Sequence, residues 1–204
     1  MRPTAGSSTV EGTFYFDLGS PLAYLAAERI LHTLPQPAEW QPVLARELPA
    51  AESFQAFRCG TEAEVFRAEI ERRAEELGLQ PLRWPTDFPF DSEPAMLVAT
   101  YAKSIGRTVP FAQAAFRQAF AGGHSLARID NVLIAAAACE MHPAAVLKGA
   151  QLLSVREQLS AATTAATRAG VSDVPAVRVG EEVFVGERAL EPAAARMAQG
   201  APAR

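Results

Sequence analysis

The chain has 204 residues and a mass of 21.8 kDa, enough for one domain or for one domain carrying a large insertion. Hydrophobic residues make up 49% and charged residues 21%, the balance of a globular chain able to bury a real core. A net charge of -4 and a pI near 5.5 exclude the basic face that a nucleic-acid partner requires, and no run is long and apolar enough to cross a bilayer.

The first residues, MRPTAGSSTVEG, are polar and contain no signal-peptide apolar region, which places the protein in the cytoplasm as an expectation. Residues 13–17 (TFYFD) have high strand propensity and predict β1. Ser20-Pro21 then opens a helix, serine suiting the N-cap and proline the first helical position. Pro35 and Pro37 end that helix, and residues 39–44 predict a second strand. Over residues 61–77 charged and apolar residues recur at helical spacing, closed by Gly78. Within that stretch Arg67, Arg72 and Arg73 alternate with Glu64, Glu69, Glu71, Glu75 and Glu76, the pattern of a solvated helix face.

A proline-punctuated loop over residues 81–94 leads to helices predicted at 95–105, 110–121, 129–139, 143–153 and 155–169, with Gly170 as a C-cap. The texture then changes. Residues 175–179 predict a strand, Gly180-Glu181 a tight hairpin turn, 182–185 the partner strand, and 188–198 a closing helix. The order is β-α-β, a long helical middle, then β-β-α. The expected domains are a host formed by residues 10–48 and 170–200 and a helical insertion over 49–169.

Cys59 and Cys139 lie far apart and in no metal or redox spacing, so both read as free thiols. Cys139 follows an apolar run and reads as a buried small hydrophobe. His32, His124 and His142 have no partner spacing for a metal or a nucleophile–base pair and read as surface or capping residues.

A β-α-β half and a β-β-α half split by helices is the order of an α/β thioredoxin fold with a large helical insertion. GVSDVPAVRVGEEVFVGERAL, residues 170–190, resembles the cis-proline segment of DsbA-like proteins. FYFDLGSPLAYL, residues 14–25, resembles the N-terminus of one branch, the 2-hydroxychromene-2-carboxylate isomerases and kappa-class glutathione transferases. Ser20-Pro21-Leu22-Ala23 stands where the disulfide oxidoreductases carry Cys-x-x-Cys; both redox thiols are absent, which excludes dithiol exchange at that place.

The resemblance implies glutathione as cofactor, a small aromatic substrate and a homodimer. Ser20 would be the catalytic residue, its hydroxyl donating to the glutathione thiolate at a helix N-terminus; a plain N-cap is the other reading. A free thiol with pKa of about 8.5 is only a few per cent thiolate at neutral pH, and lowering it by about two units takes roughly 2.7 kcal/mol. A cis Val174–Pro175 bond would present Val174 N–H and C=O to the cysteinyl backbone of glutathione.

Gly186, Glu187 and Arg188 stand where relatives hold the γ-glutamyl end, but the turn is one residue shorter and lacks the family's aspartate. Glu187 reads equally as a contact for the α-amino group and as an acid in the first turn of the last helix. Pro21, Trp84 and Phe88 are the expected substrate pocket, with packing between host and insertion as the other explanation for the aromatics. The lysine or asparagine and Thr-Gly turn of relatives is absent; Arg46-Glu47-Leu48-Pro49 and Arg58-Cys59-Gly60-Thr61 stand there instead. The activity implied is that of a glutathione-dependent isomerase. The alternatives are a kappa-like transferase and a non-catalytic thioredoxin-fold protein that binds a thiol or a peptide.

Overall fold

β1 (Gly12–Phe16) carries bulky side chains on both faces, and both are buried: Phe14 and Phe16 on one side, Tyr15 on the other. Such a strand belongs in the middle of a covered sheet. The computed structural model describes residues 12–50 and 60–200 and places β1 second in a four-stranded sheet of order β2-β1-β3-β4. β2 (Glu39–Pro42) runs parallel to β1, while β3 (Ala176–Val179) and β4 (Glu182–Val185) form a hairpin whose first strand is antiparallel to β1. Gly180, at φ 62°, makes the tight hairpin turn that the sequence predicts.

The register carries the consequence for function. Phe16 pairs with Pro42, Tyr15 with Ala176, and Ala176 with Val185. The chain leaving β1 toward Ser20, the chain leaving β2, Pro175 entering β3 and Gly186 leaving β4 therefore share one end of the sheet. β2 is shorter than residues 39–44 because the chain turns after Pro42 into a 3-10 turn over Ala45–Glu47.

The helices found among the described residues are α1 (Pro21–Thr33), α2 (Gly60–Glu76), α3 (Glu93–Ser104), α4 (Thr108–Phe120), α5 (Ile129–Ala137), α6 (Pro143–Ala150), α7 (Leu153–Arg168) and α8 (Leu190–Gly200). Ser20 caps α1 and Pro21 occupies its first turn, as the sequence implies. Gly78, at φ 66°, follows the end of α2. α6 is shorter than 143–153 because Leu152, in extended conformation, separates it from α7. α8 starts at Leu190, not Arg188, because residues 186–189 form a turn in which Ala189 N–H donates to Gly186 O.

One buried cluster runs without a break from the sheet through α1 into the helical middle. Rings mark its path: Phe14 and Phe16 flank Trp40, Phe16 meets Phe116, Tyr24 stacks on Phe120 at 5.6 Å, and Phe120 reaches Trp84 at 6.1 Å. A smaller cluster of Tyr15, Val43, Leu48, Ala166, Val171, Val174 and Ala176 covers the other face of the sheet.

α3 and α6 pack closely because Gly149 lies against the ring of Tyr101; a Cβ at Gly149 would sit 2.4 Å from Tyr101 Cδ2. Gly149→Ala is therefore expected to destabilise the protein by about 1–3 kcal/mol. At Gly60 an added Cβ meets open space, so Gly60→Ala should leave stability within about 0.5 kcal/mol of wild type or raise it. Urea denaturation of the two variants checks the contrast.

Candidate functional site at the end of the central strand

Five residues, Phe16 to Ser20, turn the chain from β1 into α1, and Asp17 shapes that turn. Its backbone carbonyl accepts from Ser20 N–H at 3.0 Å and its Oδ1 accepts from Gly19 N–H at 2.8 Å. Its Oδ2 accepts from Ala45 N–H at 2.8 Å, and the Ser92 hydroxyl also donates to the carboxylate. The turn is pressed against the start of α3. A Cβ at Gly19 would lie 3.1 Å from Ser92 Cβ, and Leu18 N–H donates to Met96 Sδ at 3.2 Å. Ser20 is 1% exposed, extended in backbone, and its Oγ accepts from Ala23 N–H at 3.2 Å. Accepting that bond leaves the hydroxyl proton available for donation.

The Val174–Pro175 bond is cis and lies at the same end of the sheet. Both residues are buried, and Val174 N–H is taken by Asp173 Oδ1 at 2.7 Å, so the N–H expected to be open is engaged within its own loop. Burial pushes the Asp173 carboxyl up, opposed by that same bond. Gly186, at φ 91°, donates its N–H to Pro175 O at 2.8 Å, which joins the Gly186–Arg188 turn to the proline. Arg188 is exposed.

Glu187 precedes α8 and is not in its first turn; it pairs with Arg73 of α2 at 2.8 Å. The first-turn acid is Glu191, which pairs with Arg29 of α1.

This corrects the reading of α2 as carrying three solvated arginines. Arg72 does lie on the surface, paired with Glu69 and Glu76. Arg73 reaches across to Glu187, and Arg67 lies over Trp84 and Phe88, its guanidinium carbon 5.6 and 5.8 Å from the ring centres. Arg67 Nη2 also donates to Phe88 O at 3.1 Å. Sequence spacing missed both because their partners come from a loop and a turn more than ten residues away.

Trp84 is half-buried, donates its Nε1–H to Glu71 at 2.6 Å, and packs on Phe88 at 4.8 Å. Phe88 is 6% exposed and enclosed by Trp84, Phe90 and Phe120, so it backs Trp84 rather than presenting a free face. Pro21 is buried in the first turn of α1. Arg46 is held by Asp91 and Glu93 at the entry to α3; Arg58 and Cys59 lie outside the described residues.

Cys139 is a free, buried thiol whose pKa burial raises, with Arg107 opposing. His142 caps α6, accepting from Ala144 N–H, while His32 and His124 are exposed. Among the described residues no group of three His, Cys, Asp or Glu side chains is placed to hold a metal, and no helix is long and apolar enough to cross a membrane.

A thioredoxin-type sheet with its helix N-terminus opposite a cis-proline invites comparison with known proteins. The family model of the DSBA-like thioredoxin domain matches residues 13–198. The chain belongs to the DSBA-like thioredoxin family. Among solved structures it is similar to a 2-hydroxychromene-2-carboxylate isomerase, with a TM-score of 0.80 at 18% identity, covering 92% of this chain and 94% of that one. A probable DsbA oxidoreductase from Streptomyces coelicolor gives 0.75 at 14% identity, covering 96% and 93%. The cytosolic disulfide reductase DsbM from Pseudomonas aeruginosa, solved with GSH, gives 0.64 at 11%, covering 93% and 96%. No curated protein matches the chain in sequence. These likenesses establish the DSBA-like fold, with its helical segment between β2 and β3.

Within this DSBA-like site the charge nearest Ser20 in sequence is buried. Asp17 is 3% exposed, and burial pushes its carboxyl above the ordinary range; the Gly19 and Ala45 N–H groups, the Ser92 hydroxyl and the Arg46 charge pull the other way. Tyr24, one turn into α1, has its hydroxyl pKa pushed up to about 12, by burial first and by Glu28 second, so it stays protonated at neutral pH. Sequence reading passed over Asp17. The available signal was Asp two residues before Gly and three before a cap serine, but Ala45 and Ser92 are brought in only by the fold.

A carboxyl raised in the folded state contributes stability that is complete below its ordinary value of 3.8 and is lost as pH rises through the folded value. Asp17→Asn does not titrate, so its stability relative to wild type should increase as pH rises from about 4 to 8, on top of a constant penalty for the lost acceptor. Denaturant unfolding of both proteins across that range measures the slope. Parallel profiles would place the Asp17 carboxyl in its ordinary range.

Proposed function

We propose that the protein is a glutathione-dependent isomerase acting on a small aromatic 2-oxo acid of the chromene-carboxylate type. The observation that carries this reading is the residue at the helix N-terminus. A DSBA-like fold presents Ser20, with Ala23 three residues on, where a dithiol would stand, so a reactive sulfur must arrive on a ligand. A fold neighbour solved with GSH adds support.

When bound, glutathione supplies a thiolate that adds reversibly to a conjugated double bond, giving a single bond free to rotate before elimination. The roles of the chain follow from its own groups. Ser20 Oγ, fixed by Ala23 N–H, keeps a proton to donate to an anionic sulfur, and the α1 N-terminus favours the negative charge. One charge-assisted hydrogen bond and the dipole together match the roughly 2.7 kcal/mol that a two-unit drop in thiol pKa requires.

Val174 and Pro175 would align the tripeptide backbone, with Val174 N–H passing from Asp173 to the ligand. Glu187, already balanced by Arg73, would receive the α-amino group, with Gly186 and Arg188 flanking it. Pro21 and Trp84, the latter backed by Phe88, would border the aromatic substrate. By family resemblance the active form is a cytoplasmic homodimer. A kappa-like transferase would use the same thiolate site.

One observation favours a different class, a non-catalytic binder of a thiol or peptide: Ser20 is buried and already serves as the cap of α1. Ser20→Ala separates the two. For the enzyme, calorimetry should show glutathione binding weakened less than about fivefold. Turnover at neutral pH should fall about tenfold or more and partly recover at alkaline pH. The thiolate absorbance of the complex should titrate higher than in wild type. A serine that only caps predicts a stability loss of about 1 kcal/mol and overlapping titration curves.

A further inference from the structure

We propose that Asp17 is a positioning residue that couples the seating of α3 to the placement of Ser20. Three parts of the chain converge on its carboxylate: Gly19 N–H from the turn that ends at Ser20, Ala45 N–H from the turn after β2, and the Ser92 hydroxyl from the start of α3. The two N–H bonds are each 2.8 Å and use different oxygens, so the carboxylate bridges the two turns. A neutral amide has one acceptor oxygen and cannot reproduce the bridge.

The charges around this bridge come from the same three segments. Arg46 follows Ala45 and is paired with Asp91 and Glu93, which flank Ser92; Arg156 of α7 binds Glu93 at 2.9 Å. The turn has no slack against α3, since Gly19 lies against Ser92 and Leu18 N–H is held by Met96 Sδ. Displacement of the start of α3 is therefore transmitted through Ser92 and Asp17 to the turn whose next residue is Ser20. Only the effect on turnover depends on glutathione being the bound thiol; the seating of Ser20 does not.

Ser92→Ala removes the hydroxyl while leaving Asp17 and the backbone donors in place. In the ligand-free protein, amide exchange followed by NMR should speed up about tenfold at Gly19, Ser20 and Ala23, with amides of α4 and β3 keeping wild-type rates. In the glutathione complex the midpoint of the thiolate titration should rise by about half a pH unit, with the dissociation constant changing less than about threefold. Asp17→Asn should produce both effects, and Ser92→Ala added to Asp17→Asn should change neither further, because the hydroxyl acts through the carboxylate.

Uniform acceleration of all amides, unchanged exchange at Gly19 to Ala23, or additive effects in the double variant would each overturn the coupling, whether or not glutathione binds. Exchange that responds as expected in a protein that gives no heat with glutathione would leave the coupling standing and overturn the ligand assignment.

Discussion

The antiparallel pairing of β1 with β3 is the constraint on which the site depends. It closes a loop from Tyr15 to Ala176, and every helix from α1 to α7 lies within that loop. Closing so long a loop costs only a little more entropy than closing a short one, since the cost grows with the logarithm of length. The specificity of the closure comes from the strand itself. With Phe14 and Phe16 buried on one face and Tyr15 on the other, a slip of one residue would exchange the two sets of rings between unlike clusters. Once the register is set, Ser20 and Pro175 must emerge at the same end of the sheet.

The seam between sheet and helical middle is bridged repeatedly by ion pairs. Arg117 of α4 grips Glu28 of α1 with bonds of 2.7 and 2.8 Å, Lys103 of α3 meets Glu39 of β2 at 2.6 Å, Arg46 meets Asp91 and Glu93, and Arg73 of α2 meets Glu187. Partly exposed pairs of this kind contribute about 0–1 kcal/mol each, far less than the aromatic and aliphatic burial beneath them. Their effect is on alignment: they fix how the helices sit over the sheet end that carries the site.

What could be read from the sequence was local. Ser20-Pro21 announces a helix start, Gly180 a hairpin turn and Gly78 a helix end, because each depends on conformational preferences of neighbouring residues. The start of α8 was misplaced by two residues because the Gly186–Ala189 turn is set by Pro175, from another part of the chain. Arg67 and Arg73 were taken for solvent-facing because their spacing among glutamates suits a helix surface, and nothing local shows Phe88 or Glu187 approaching them. For the same reason Asp17 was passed over: two of its three donors, Ala45 and Ser92, are 28 and 75 positions away.

The two tryptophans divide the molecule between them. Trp40 is buried in the sheet against Phe14 and Phe16, whereas Trp84 is half-buried on the loop before α3, with its indole N–H on Glu71 and Arg67 over its ring. Their surroundings differ in the properties that govern indole emission: one is apolar and dry, the other lies next to charges and partly in water. Intrinsic fluorescence of the unmodified protein thus contains two colours of reporter, a blue-shifted one for the integrity of the sheet and a red-shifted one for the loop beside α2.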